Sequence, residues 1–584
     1  MTNVVDRAYF TRQMFLKSVL PAPLAGIGLA LAEMGDTILV GHAIGMDGLA
    51  AIGFTTPMFL MASFFVFGLS MGGAIVYSSL MHEGKKDEAL GVFGFFLRAA
   101  ALIGFGITAG GLIWGEELLL ALGVAPSDGI VYELTKSYLF YILWGIPFEI
   151  LMEVFCAYLR NDDADTFSIV LQMAAGAGNI VISAALLFWF DWGIAGCSFG
   201  FFFSNFATAL SAAAYILLRS DGELAISCKT ISFQSAIKPL RLGFATATEY
   251  IFDALFTLVV IHLLADMVGT EGVAIFNIIE NLSLLFIFIY EFIGKTSQPL
   301  FSTFFAECNF AELHRVFRYA LIYSLLLGVL AMMVVIAYPS LLDLLFGLDG
   351  IEDVAKVYYA VRLFCLGTIF MGICLLLQNY LQSEEDEASA FLVVLMRRIG
   401  AGLPLAFLLE PFGFYVFWLI YPLSEIVTLL ALFLYKRRKG EMKRIASERV
   451  YTATFANRLE DMAAYLDAMD EFAHSWGADY RKCYTLRLAV EEVCGIVRDG
   501  ETTETGKSVL TQLTLIAKED GSFQLHLRNN GAQLDLEELN KDFGFAITEE
   551  PKKLGVVVLR VAKNRARQFL YRNYHGFNTF VVTA

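Results

Sequence analysis

Twelve stretches of this 584-residue chain are each long and apolar enough to cross a bilayer, for which a helix needs about 20 mostly apolar residues. They lie near 13–40, 48–80, 89–114, 130–159, 165–190 and 193–218, then near 237–266, 271–304, 313–337, 355–382, 388–409 and 412–436. The rest of the composition agrees. Apolar residues make up 57% and charged residues 17%, and mean hydropathy is +0.62. A soluble chain carries roughly 25% charged residues and could not hide this much apolar surface. A disordered chain and a secreted disulfide scaffold are excluded. The net charge of −16 argues against a nucleic-acid partner. The eight cysteines are scattered singly with no CxxC pair, so no zinc site is expected. The N-terminal segment lacks a signal-peptide pattern, and the first apolar helix is expected to direct insertion itself.

Lysine and arginine set the orientation. With the N-terminus in the cytoplasm, Arg7, Arg12, Lys17, Lys85, Lys86, Arg160, Arg219, Lys229, Arg315, Arg318 and the Lys436–Lys439 cluster all fall inside. The opposite loops hold only Lys136 and Lys356. An even helix count returns the C-terminus to the cytoplasm. The expected setting is the plasma membrane of a bacterium, with both termini inside.

A shift of 224 residues superposes Gly45–Ala50 on Gly269–Ala274 and aligns Glu83 with Glu307, Glu88 with Glu312, and Val92-Phe93 with Val316-Phe317. The chain therefore divides into an N-lobe of six spans over 1–218, a linker over 219–236, a C-lobe of six spans over 237–436 and a further domain over 446–584. Parallel repeats of this kind form two bundles around a central cavity and suit alternating access.

Several motifs carry a family likeness. Asp36-Thr37-Ile38-Leu39-Val40-Gly41-His42, Gln298-Pro299-Leu300, Tyr158-Leu159-Arg160-Asn161-Asp162, Asn179 and Gly193-Ile194-Ala195-Gly196 together resemble the MATE multidrug efflux transporters over about 10–436. The resemblance implies a secondary transporter, not an enzyme. It would export amphipathic, cationic small molecules by alternating access, with H⁺ or Na⁺ as coupling ion, no other cofactor and a monomeric state.

Charged groups inside a bilayer are costly and need a partner, a proton or a water-filled cavity. Asp36 is either a carboxylate that takes the coupling cation or a helix-end acid solvated at the outer surface. The resemblance favours the first, with Asn179 beside it and Ser183 where many family members have an acid. A C-lobe polar set comprises Glu249, Asp253, Asn277, Glu280, Asn281, Gln378 and Tyr380. Glu249 and Asp253 share one helix face but lie near the start of their helix, with Arg241 as neighbour; Gln378 and Asn379 stand where sodium-site members have an acid. Glu33, Glu149, Glu153 and Glu425 complete the acids, and Arg362, Arg397 and Arg398 have no assigned partner.

Beyond Lys443-Arg444 the composition turns soluble. Strands are expected at 449–457, 508–517, 522–528, 567–573 and 578–583, and helices at 458–476, 480–498 and 555–566, an α/β sandwich following an all-α bundle of twelve transmembrane helices. Leu486-Arg487-Leu488-Ala489-Val490-Glu491-Glu492 resembles the first ATP-site helix of GHKL ATPases in the anti-sigma-factor serine-kinase branch, and Arg528–Gly531 and Lys553-Leu554-Gly555 follow in the family's order. The implied nucleotide pocket is Glu492, Asn529, Gly531 and Gly555. Ile496 replaces the Mg²⁺-holding asparagine, Asn529 the adenine-reading aspartate, and Lys552-Lys553 the glycine pair. Mg²⁺ needs hard oxygen ligands, so a degenerate, non-catalytic domain is expected, regulatory and with a cytoplasmic protein partner. The rival readings are a lipid-linked oligosaccharide flippase of the same superfamily and a membrane-tethered signalling protein acting through this domain. The absence of a GxxxxGK[ST] loop argues against an ATP-driven pump.

Overall fold

The computed structural model describes the chain except residues 1, 83–84, 163, 220–223, 227–230, 349–353, 440–446, 458, 500–508, 532–565, 567 and 575–576. Among the described residues, twelve helical segments are long and apolar enough to span a membrane. The first half comprises α1 (Thr2–Val19), α2 (Ala22–Glu33), α3 (Gly35–Ile44), α4 (Met46–His82), α5 (Lys86–Ile113), α6 (Gly115–Ala121), α7 (Ile130–Arg160), α8 (Asp165–Phe188) and α9 (Ile194–Leu218). The second comprises α10 (Phe233–Val268), α11 (Thr270–Ala306), α12 (Phe310–Ala337), α13 (Ser340–Phe346), α14 (Val354–Ser383), α15 (Glu387–Leu395), α16 (Gly402–Leu409), α17 (Phe414–Phe417) and α18 (Ile420–Lys439).

The 224-residue shift maps α4 onto α11 and α5 onto α12 end to end, at 37 and 28 residues per pair. Gly45 and Gly269, the turn residues before α4 and α11, have φ of 80° and 82°, a region that side chains with a Cβ avoid. These glycines mark the far end of the bundle; the opposite end, carrying α1 and the C-terminal domain, is the tail end. At the far end the halves touch: Asn277 Nδ2 donates to the Leu49 carbonyl at 2.9 Å, and α3 packs on α13.

Several spans depart from the continuous helices expected. The first is three helices. Pro21 and Pro23 lack amide donors and end α1, and a second break falls at Met34, between α2 and α3. The eleventh is interrupted by a π-helical turn at Met396–Gly400, and the twelfth is split between α17 and α18. The seventh begins earlier than expected, at Phe233, because Ser232 caps it by accepting from the Ser235 amide. Asp162, in the α7–α8 turn, ties down the linker: it accepts from Arg219 Nη1 at 3.3 Å and from the Leu224 amide at 3.1 Å.

The C-terminal domain contains β1 (Val450–Ala456), α19 (Leu459–Ser475), α20 (Tyr480–Asp499), β2 (Leu510–Ala517), β3 (Phe523–Asn529), β4 (Gln568–Tyr574) and β5 (Phe577–Thr583). The strands form one antiparallel sheet in the order β1-β2-β3-β5-β4. Alternation sorts its faces. Ala453, Phe455, Leu513, Leu515, Leu525, Leu527, Phe580 and Val582 form a core with α19 and α20. The other face carries Thr454, Gln512, Arg528 and Thr579 in one cross-strand row, and Thr452, Thr514 and His526 in the next. The expected helix at 555–566 lies outside the described residues.

Candidate functional site

In the first half, the break at Met34 turns the chain so that α3 packs on α4 and α8. Gly35 allows this approach: a Cβ there would lie 2.7 Å from Ile180 Cγ1 on α8. Asp36, the next residue, thus meets Asn179 on α8, whose Nδ2 donates to Asp36 Oδ2 at 3.0 Å. Ser183, one turn on, donates to Asn179 Oδ1 at 3.2 Å and to the Cys197 carbonyl at 3.1 Å. Asp36 Oδ1 is buried and has no hydrogen-bond partner among the described residues. A buried, half-satisfied carboxylate is costly when ionised. This arrangement can accept a proton or, with the side-chain oxygens of Asn179 and Ser183 nearby, a small cation.

The structure divides the C-lobe polar set: Glu249, Asp253 and Glu280 are electrostatic neighbours around Arg397 and Arg398, and the other members lie outside this cluster. Asp253 pairs with Arg398 at 2.5 Å, and the Arg398 guanidinium also lies over the Phe256 ring. Arg397 grips Glu425 bidentately, Nε at 3.0 Å from both oxygens and Nη2 at 2.8 Å from Oε1. Both arginines sit on the π-helical turn. Glu280 accepts from Tyr421 at 3.1 Å. Asn277 and Asn281 bond to each other, Asn281 Nδ2 to Asn277 Oδ1 at 2.9 Å, and belong to the far-end closure. Gln378 is half-buried. Tyr380 donates to Glu384 at 2.8 Å and packs on Phe301 and Phe317, apart from the charged cluster.

A third group spans the two halves. Glu33 (α2), Glu149 (α7), Glu249 (α10) and Glu291 (α11) are linked electrostatic neighbours, with Lys295 among them. Glu291 and Lys295 form an i,i+4 ion pair. Sequence reasoning did not single out Glu291 or Lys295, although an acid and a base one turn apart inside an apolar run were visible. It listed Arg397, Arg398 and Glu425 without matching them.

In the C-terminal domain, Glu492 is half-buried, and burial together with Glu491 pushes its carboxyl above the ordinary value. Asn529 is fully buried; its Oδ1 accepts from the Gly531 amide at 3.2 Å and from Asn578 at 3.0 Å. The Asn529 Nδ2 atom has no partner among the described residues. Gly555, Lys552 and Lys553 lie outside the described residues, as does the side chain of Ile496. Among the described residues no cluster of three or more His, Cys, Asp or Glu side chains could hold a metal ion.

Known proteins share this architecture. The chain is 19% identical over 447 residues to the probable multidrug resistance protein YoeA of Bacillus subtilis, covering 73% of this chain and 94% of that one. A solved inward-facing multidrug resistance MATE transporter of the MOP superfamily matches with a TM-score of 0.66 at 17% identity, covering 72% of this chain and 97% of that one. A MOP superfamily transporter from Pyrococcus furiosus, described as having a binding pocket of reverse polarity, matches with a TM-score of 0.57 at 18% identity, covering 74% and 96%. The MatE family model matches residues 21–185 and 242–408, one segment in each half and together more than half of the chain. The chain is a multi-pass membrane protein that belongs to the MatE family of secondary transporters.

Proposed function

We propose that this protein exports cationic, amphipathic small molecules by alternating access, driven by H⁺ or Na⁺ acting at Asp36. The observation that carries the reading is the half-satisfied Asp36 carboxylate, held by Asn179 at 3.0 Å with Oδ1 buried and unpartnered. A coupling ion shifts the equilibrium between two states only by its differential affinity for them. Neutralising this buried charge would do so, because the carboxylate sits beside the break at Met34 where the first span changes partner. The substrate would be drawn to the group of Glu33, Glu149, Glu249 and Glu291, whose acids outnumber the neighbouring Lys295 and Arg397. The Lys and Arg bias supports a cytoplasmic tail end, and the membrane in this reading is the plasma membrane of a bacterium. A relative bearing a multidrug resistance name supports the substrate class.

The flippase reading needs a basic cavity to hold pyrophosphate. Arg397 and Arg398 do not supply one, since each is neutralised by a carboxylate, Glu425 and Asp253. For the C-terminal domain we infer a degenerate GHKL-type module that regulates the transporter, catalyses nothing and contacts a cytoplasmic protein. The replacements at Ile496 and Asn529 support this.

The test is transport in proteoliposomes, with pH and Na⁺ gradients imposed separately on wild type and Asp36→Asn. Gradient-driven export that is lost in the variant, at equal reconstitution, supports the reading. Export by the variant at the wild-type rate removes Asp36 from the mechanism.

A further inference from the structure

The polar face of the C-terminal sheet is not open to solvent. Thr454, Gln512, Thr514 and Arg528 are all at least 96% buried, and what covers them is the tail end of the bundle. Arg528 Nη2 donates to Glu307 Oε1 at 2.5 Å, Nη1 donates to Gln512 at 2.9 Å, and its guanidinium stacks over Phe304. His526 Nδ1 lies 3.7 Å from the same Glu307 oxygen. Glu307 sits in the α11–α12 turn and is itself 1% exposed. At the start of β5 Phe577 packs edge-on against Phe10 of α1, 5.5 Å between centroids, and Lys17 lies over its ring. Leu510 and Phe577 belong to the same apolar cluster as the second half of the bundle.

The helix that the sheet grips is the start of the first span. On its other side α1 packs along α12: Thr11 donates to Glu312 at 2.6 Å, Phe15 meets Tyr319 at a tilt and Tyr323 edge-on, and Tyr323 donates to the Leu20 carbonyl at 2.9 Å. α2 continues on α11. Before Met34 the chain makes only a smaller contact with the first half, of α2 with α8; beyond it α3 joins that half, where Asp36 meets Asn179. The leading part of the first span thus rides mainly on the second half, while its trailing part packs on α4 and α8 of the first half and meets α13 of the second at the far end.

We propose that the C-terminal domain is a latch on the transport cycle. Seated on α1 and the α11–α12 turn, it holds α1 and α2 on the second half of the bundle and so favours the state with the far ends closed. Undocking frees α1–α2 to move with α3 and the first half, and far-side opening becomes easier. The proposal rests on the transporter reading above and deepens its regulatory part. Its physical basis is a desolvated ion pair whose two members lie 221 residues apart and whose loss would strand a buried charge on either side.

The test uses the full-length chain in nanodiscs, with bioorthogonal labels at positions 42 and 344, which are exposed on α3 and α13 at the far end. The separation of the labels reports far-end opening. Arg528→Glu and Glu307→Arg should each raise the open-to-closed ratio about tenfold, and the two combined should return it to within about twofold of wild type. An unchanged ratio in the well-folded single variants overturns the latch, and so does a combined variant that stays open. If a charge reversal fails to fold, Lys17→Ala and Phe577→Leu, which spare the buried pair, decide the matter. A raised ratio supports the latch and an unchanged one overturns it. Transport is measured in parallel: a label response without export of any tested cation would leave the latch standing and sink the transporter reading, and export without a label response would do the reverse.

Discussion

Asn179 donates its amide to one oxygen of Asp36 at 3.0 Å, across 143 residues of sequence, and the other carboxylate oxygen remains buried and unpartnered. The pair holds α3 against α8 and leaves the carboxylate one ligand short. That combination makes the protonation or cation occupancy of Asp36 a structural variable, since an empty ionised site is the least stable of its states.

Replacing Asp36 by Asn should abolish gradient-driven export while leaving expression and thermal stability near wild type. An amide keeps the hydrogen bond to α8 but cannot exchange a proton or offset a cation's charge. Proteoliposome flux with fluorescence-detected thermal melting separates the two effects; a large drop in melting temperature would mean that the carboxylate is structural.

Gly35→Val should impair transport through geometry alone. Its side chain would collide with Ile180, where even an added Cβ would lie 2.7 Å from Cγ1, and push α3 away from α8. The cost expected of such overpacking is about 1–3 kcal/mol. A shifted pH or Na⁺ dependence of export, with Asp36 intact, is the signature to measure.

The buried pair Arg397–Glu425 makes a sharper stability prediction. Glu425→Ala should destabilise the second half by roughly 3–5 kcal/mol, because Arg397 would keep its charge in an apolar surrounding. Removing both partners with apolar residues of similar size should recover most of that loss. Unfolding in detergent with a double-mutant comparison measures it; equal losses in the single and double variants would count against a buried-charge penalty.

Docking of the C-terminal domain should weaken as pH falls from 7 towards 5. Burial, with Arg528 and Lys518 nearby, lowers the pKa of His526 from its ordinary 6.5, and Glu307 only partly offsets this. A histidine with a lowered docked pKa binds its proton more readily when undocked. Docking is therefore favoured at high pH and progressively lost as pH drops through the ordinary histidine value. The distance between the labels at 42 and 344 should then depend on pH, and His526→Gln should flatten that dependence.

Purified full-length protein should show no Mg²⁺-dependent ATP hydrolysis, since Ile496 offers no metal ligand where the GHKL resemblance requires one. The measurement is phosphate release. Turnover that disappears on Glu492→Ala would overturn the inferred loss of catalysis.

Much of the architecture was legible in the residues. A lipid-spanning segment must satisfy its own backbone hydrogen bonds, so a long apolar run is already a helix and the count of spans can be read directly. The 224-residue register between Gly45 and Gly269 gave the equal lengths of α4 and α11 before any packing was known. Period-two alternation placed β2 and β3 of the C-terminal domain to within a few residues, and the other three strands were expected within the same margin. Asp36 and Asn179 could be named because their motifs resemble a family, but nothing local put them 3.0 Å apart.

What the tertiary structure decided was partnership. Arg397 and Arg398 are adjacent in sequence, yet one turns to Glu425 and the other to Asp253, because a π-helical turn fans them towards α18 and α10. Tyr380, grouped by sequence with the polar residues of its lobe, leaves them for Glu384 because it lies at the tail end of α14. The polar sheet face, with the spacing of an ordinary solvated surface, is buried against the bundle through Arg528 and Glu307. Hydropathy and periodicity are local properties and fix which segments are helices or strands. Which charge meets which depends on the crossing of elements hundreds of residues apart, and only the folded chain sets those crossings.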